Sequence, residues 1–190
     1  MNNSVHVDMD FGSGPLVFML GDMFGVTDNH WHNLTLSHRG AKVTAILDAE
    51  LRELDVPDNH HHLYLDPEIC VGGGHNMKQR KGHTSQNNFV GSLKYAYFNE
   101  INLLYELRRG SPRAQYVSLL EPEYEETEVR ILPLTLPFPA SHVLWPLTSR
   151  HNLALSFDFK STRAMAVLAA GNATTPRGLG HWEVRKHGVA

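Results

Sequence analysis

The chain has 190 residues, 42% of them hydrophobic and 19% charged, with a net charge of -3 at pH 7. That is globular composition, with room for one full sandwich or for one domain plus part of another. The weak charge excludes a strong nucleic-acid or membrane-surface field, and no run of about 18 apolar residues offers a helical membrane span. The opening residues, MNNSVHVDMDF, carry neither a basic n-region nor an apolar h-region, so no signal peptide is expected there.

Val5, Val7, Met9 and Phe11 alternate with His6, Asp8 and Asp10, the period of a half-buried strand, and the Gly12-Ser13-Gly14 turn ends it. Leu16 to Leu20 is a short apolar strand. Trp31 to Ser37 and Lys42 to Leu47 form a hairpin across Arg39-Gly40, with His32, Leu34 and Leu36 on one face and Trp31, Asn33 and Thr35 on the other. Two short strands follow, Leu63 to Leu65 and Ile69 to Val71, the latter running into Gly72-Gly73-Gly74. A basic loop spans 75–88. The strand Asn88 to Asn99 is expected to turn Phe89, Gly91, Leu93, Tyr95 and Tyr97 to one face. Residues 121–140 are acidic and then Pro-rich, an extended connector or edge segment, since proline cannot donate to a ladder. His142 to Trp145 and the alternating Leu153, Leu155, Phe157 and Phe159 begin a new apolar pattern. After Gly171 periodicity is lost, and 172–190 is expected to be loose. Many short strands with turn signals at this spacing predict an all-β sandwich.

Three stretches resemble laminin-G-like (LNS) domains of the neurexin and contactin-associated superfamily. The first is Asp10-Phe11-Gly12-Ser13-Gly14 through the Trp31-His32 hairpin to Asp48. The second is Val71-Gly72-Gly73 with Phe89-Val90-Gly91-Ser92-Leu93. The third, Leu153 to Arg163, is similar to the opening of another such domain. The resemblance implies a concanavalin-A-like jelly-roll β-sandwich. It divides the chain into a domain at 1–120 lacking its N-terminal strands, a connector at 121–140, and the start of a second domain at 141–190. The chain would then be a fragment with exposed sheet edges and poor stability.

The implied function is non-catalytic, extracellular or cell-surface binding of a protein or heparan-sulfate-like glycan in a neurexin-like adhesion protein. No nucleic acid is involved, and the parent is expected to be membrane-anchored or secreted. A laminin, agrin or perlecan-type matrix protein is the first alternative. A lectin-like or carbohydrate-active sandwich, which needs paired carboxylates such as Asp8 and Asp10, is the second. The family also implies calcium in the full-length domain. Carbonyls of Phe11 and His62 would contribute, and the aspartate ligand is missing from this chain. Two departures stand out. Ser92 replaces a family cysteine whose partner is due near Glu125. Ala49 stands where glycine follows Asp48, a strained site if its φ is positive.

Other residues divide into sites and ordinary structure. Lys78, Arg80 and Lys81 form a basic loop that suits an acidic glycan, although a solvated loop is the simpler reading. Sequons at Asn2, Asn33 and Asn172 are glycosylation candidates. The lone Cys70 lies between apolar neighbours, which suits an inert buried thiol better than a nucleophile, and it permits no internal disulfide. His30, His32, His38 and His60 to His62 invite zinc, but structural histidines are the better expectation without a completing ligand. Trp31 and Trp145 are expected in the core.

Overall fold

The computed structural model describes residues 3–21, 25–56, 62–65, 68–74, 87–112, 115–117, 133–146, 153–175 and 178–187. The strands in chain order are β1 (Ser4–Asp10), β2 (Pro15–Leu20), β3 (His32–Arg39), β4 (Lys42–Leu47), β5 (Glu50–Asp55), β6 (Tyr64–Leu65), β7 (Glu68–Val71), β8 (Gly91–Phe98) and β9 (Ile101–Asn102). One helical turn and a half, α1 (Leu103–Arg108), follows, capped by the Asn102 side chain on the Tyr105 N–H. Then come β10 (Gln115–Val117), β11 (Leu134–Leu136), β12 (His142–Pro146), β13 (Leu153–Lys160), β14 (Ala166–Thr175) and β15 (Gly178–His187).

The strands form two antiparallel sheets. One runs β10-β12-β7-β14-β15-β1-β2, with β6 beside β14; the other runs β11-β8-β13-β3-β4-β5, with β9 beside β8. Their inner faces enclose one large apolar core to which both contribute, including Val7, Met9 and Trp182 from the first and Leu34, Leu36 and Phe157 from the second. This is the jelly-roll sandwich that the strand spacing and the resemblance imply.

The expected split at residues 121–140 is not how the strands are partitioned. β13 lies between β3 and β8, and β15 lies between β14 and β1, so 142–187 shares both sheets with 4–117. The alternation of β13 specifies a strand with one apolar face; it does not specify which sheet the strand joins. The strands that the first unit lacks at its start are thus filled from the later part of the same chain. In place of exposed edges, β1 and β3 have partners on both sides. β11, from the Pro-rich stretch, does lie at a sheet edge, as the prolines around it require.

Three local expectations are also corrected. Residues 172–175 and 178–187 are not loose but form the end of β14 and a ten-residue central strand. Its inward Trp182, Val184 and Lys186 alternate with polar residues, and the lysine hides the apolar period. In β8, the pairing with β13 slips between Ser156 and Asp158, and Tyr95 has a φ of 52°. This bulge turns Leu93, Ala96 and Phe98 inward and leaves Tyr95 exposed, so Leu93 and Tyr95 do not share a face. At the end of β4 the positive φ falls on Asp48 (53°), not on Ala49, and aspartate tolerates that conformation. Where the resemblance calls for a cysteine, Ser92 instead shares a 2.9 Å hydroxyl hydrogen bond with Thr135, its ladder partner on β11.

Candidate functional site

The outer face of the β3 sheet is polar and accessible. Cross-strand pairing arranges it in rows. Asn33 of β3 faces Asp158 of β13, which faces Lys94 of β8; one row on, Thr35 faces Ser156 and Tyr97. Trp31, just before β3, extends the same face. Asn33 Nδ2 donates to Asp158 Oδ1 at 2.6 Å, and Lys94 Nζ lies 3.3 Å from Asp158 Oδ2. Two ammonium groups converge on one indole: Lys94 Nζ is 4.4 Å and Lys160 Nζ 5.2 Å from the Trp31 ring centre. Lys94 is also 5.4 Å from the Tyr95 ring that the bulge exposes. Cation–π attraction holds the lysines against the ring, contributing roughly 0.5–1 kcal/mol each at such exposed sites. Trp31 is thus a half-exposed surface residue and not part of the core, whereas Trp145 is buried as expected. Periodicity had already placed Trp31, Asn33 and Thr35 on one face. The partners from β8 and β13 are long-range and left no local signal.

A histidine clamp fixes the position of Trp31. His32 Nδ1 lies 2.9 Å from Asp48 Oδ2, and its Nε2 lies 3.0 Å from Asp28 Oδ1. Asp48 Oδ1 also accepts the Asn33 N–H, and Asp28 Oδ1 accepts the His30 N–H. An imidazolium satisfies both carboxylates; a neutral ring has only one N–H to donate. Burial pushes the His32 pKa down, but the bonds to Asp48 and Asp28 outweigh it and hold the pKa above its ordinary value. Burial likewise pushes Asp28 up, yet hydrogen bonds from the His30 backbone and the His32 and His30 rings bring it to about 2. The clamp ties the 28–30 segment to the hairpin end, with Trp31 between two anchored histidines.

The remaining candidates among the described residues do not assemble into a site. Phe11 is buried against the His38 ring after β1, and His62 stacks on Tyr64 beside β6; these strands are not sheet neighbours. Calcium needs six to eight oxygens. The donors offered here are two carbonyls without a carboxylate. Nearby Asp10 turns Oδ1 onto the Gly12 and Gly14 N–H groups at 2.7 and 3.3 Å. Among the described residues these donors do not make up a calcium site. Among the described residues no group of three or more His, Cys, Asp or Glu is placed to hold a metal. His38 Nε2 bonds the Gly40 carbonyl at 2.9 Å, a structural role. Cys70 is fully buried. Asp8 and Asp10 do not act as a carboxylate pair. Asp8 is buried and lies 3.4 Å from His181 and 3.6 Å from Arg185. Asn2, His60, His61, Lys78, Arg80 and Lys81 lie outside the described residues. Asn33 is exposed on β3, and Asn172 is half-buried in β14.

Comparison with known proteins agrees with the fold. The Laminin G domain family model matches residues 1–101. Neurexin 1 of Drosophila melanogaster is 27% identical over 74 residues, covering 38% of this chain and 4% of that protein. No solved structure matches. With more than half its length matched, the chain belongs to the laminin G domain family, whose members are typically non-catalytic binding modules of extracellular or cell-surface proteins.

Proposed function

We propose that this chain is a non-catalytic binding module of a neurexin-like cell-surface or secreted adhesion protein, and that the Trp31 face takes an acidic glycan of the heparan-sulfate kind. The observation that carries this reading is the pair of ammonium groups on one half-exposed indole. An indole offers an apolar face to sugar C–H groups, and the lysines offer charge to sulfate or carboxylate. Asp158 offsets part of that charge, and surface ion pairs are weak, so a single site should bind at roughly millimolar strength. Useful avidity would come from several modules along one polymer.

Titration of the chain with a sulfated oligosaccharide tests the reading. Trp31→Ala and the double variant Lys94→Ala/Lys160→Ala should each weaken binding about tenfold, a loss of about 1.4 kcal/mol. Raising salt from 50 to 500 mM should weaken the wild type further. Binding that is insensitive to all three changes would overturn the assignment to this face.

A further inference from the structure

We infer that Asn33 is an N-glycan attachment point and that its occupancy closes the Trp31 face to the acidic glycan; the closure rests on the function proposed above. The Asn33-Leu34-Thr35 sequon lies on β3, and its alternation puts both polar side chains on the outer face with Trp31. Asn33 is exposed, whereas its neighbours His32 and Leu34 turn into the sandwich and are buried. The Asn172 sequon is different. Asn172 is half-buried in β14, a strand paired on both sides, and its ladder partner His181 is buried. A bulky saccharide fits a surface asparagine and not one set among buried side chains.

The chemistry is compatible with the fold around Asn33. Its Nδ2 forms a bond to C1 of the N-acetylglucosamine of a polyprenyl-diphosphate-linked oligosaccharide. The C1–O bond to the diphosphate breaks, one amide proton is released and polyprenyl diphosphate leaves. The modified nitrogen keeps one N–H, enough for the 2.6 Å bond to Asp158. The sugar then rises between Trp31 and Thr35, one strand away from Asp158 and two from the Lys94 it pairs with. Asn33 is two residues from Trp31 on the same face, so a glycan there stands beside the indole and obstructs a ligand laid across it. One asparagine therefore offers two forms of the same module, an open face and a covered one.

The test is secretion of the full chain from a glycosylating animal cell line behind a cleavable leader, with three sequences side by side: wild type, Thr35→Ala and Thr35→Ser. Thr35→Ala removes the sequon and keeps Asn33; Thr35→Ser alters the same position and keeps the sequon. Mass mapping of the Asn33 peptide should show a glycan in wild type and Thr35→Ser, none in Thr35→Ala, and none on Asn172 in any of them. Thr35→Ala should bind the sulfated oligosaccharide at least tenfold more tightly than the other two. An unmodified Asn33 in secreted wild type overturns the attachment site, and equal binding by the three chains overturns the closure. Absence of binding by unglycosylated Thr35→Ala overturns the ligand reading and the closure with it, while the mass of the Asn33 peptide still decides the attachment site.

Discussion

The two sheets treat charge on their outer faces in opposite ways. On the β3 sheet, Lys94, Asp158, Asn33 and Lys160 remain in contact with water around Trp31. On the β1 sheet, Asp8, His181 and Glu183 are buried, with Arg185 nearly so, even though they point away from the main core. Val167 and Ala170 form a small separate apolar cluster on that side, in register with Arg185 and Glu183. Charges held out of water must be matched to one another, so that face is committed to stability. Charges left in water contribute little to folding and remain free to meet a ligand.

Removing one buried partner should have the largest effect. Asp8→Ala removes the buried carboxylate that lies beside both His181 and Arg185, leaving Arg185 with Glu183 at 3.8 Å, and should cost about 3 kcal/mol in denaturant unfolding. Asp158→Ala, the same change on the other face, should cost about 1 kcal/mol or less. Equal losses would erase the distinction between the faces. The sandwich interior gives a third environment for charge. Lys186 is fully buried, with one hydrogen bond to the Ser161 carbonyl at 3.3 Å, and burial lowers its pKa to about 8. Between pH 8 and its unfolded value near 10.5 the unfolded chain holds the extra proton, so stability should rise with pH there. Lys186→Met should stabilise the protein at pH 7 by about 1–3 kcal/mol and flatten that rise.

The clamp at the rim titrates in the other direction. With the His32 pKa raised, its contribution is fully present below 6.5 and fades as pH rises through the folded value. Asp28, lowered to about 2, contributes above 3.8 and stops contributing as pH falls toward 2. A His32→Gln variant should lose the first dependence, which thermal melts across pH 5–9 and the imidazole NMR shifts would show. The smallest effect belongs to the solvated face: Lys42, 3.9 Å from Glu53, should cost no more than about 0.5 kcal/mol on conversion to alanine.

What the sequence disclosed follows the range of the interactions. The β3–β4 hairpin was legible because alternation and the Arg39-Gly40 turn are local. So was the apolar alternation of β13. Its place between β3 and β8 was not, because ladder partners dozens to more than a hundred residues apart leave no periodic mark. The bulge at Tyr95 shifted half a strand by one residue, which a strict period of two cannot anticipate. β15 was missed because Lys186 occupies a core position and the opposite face carries charge, so the strand shows no apolar alternation. Half of the candidate site was visible, Trp31, Asn33 and Thr35 on one face; the lysines that give it chemistry come from other strands.

The placement of β13 and β15 also sets a timetable for synthesis. β1 pairs early with β2 but gains its second neighbour, β15, only when Lys186 arrives opposite Val5, and β3 gains its second neighbour only when residues 153–160 emerge. Until residues 153–187 emerge, each sheet therefore has a gap at its centre, bordered by strands with unpaired backbone groups. Closing those gaps carries the entropic cost of long loops, which slows folding and lengthens exposure to wrong partners. The native sandwich has to wait for β15.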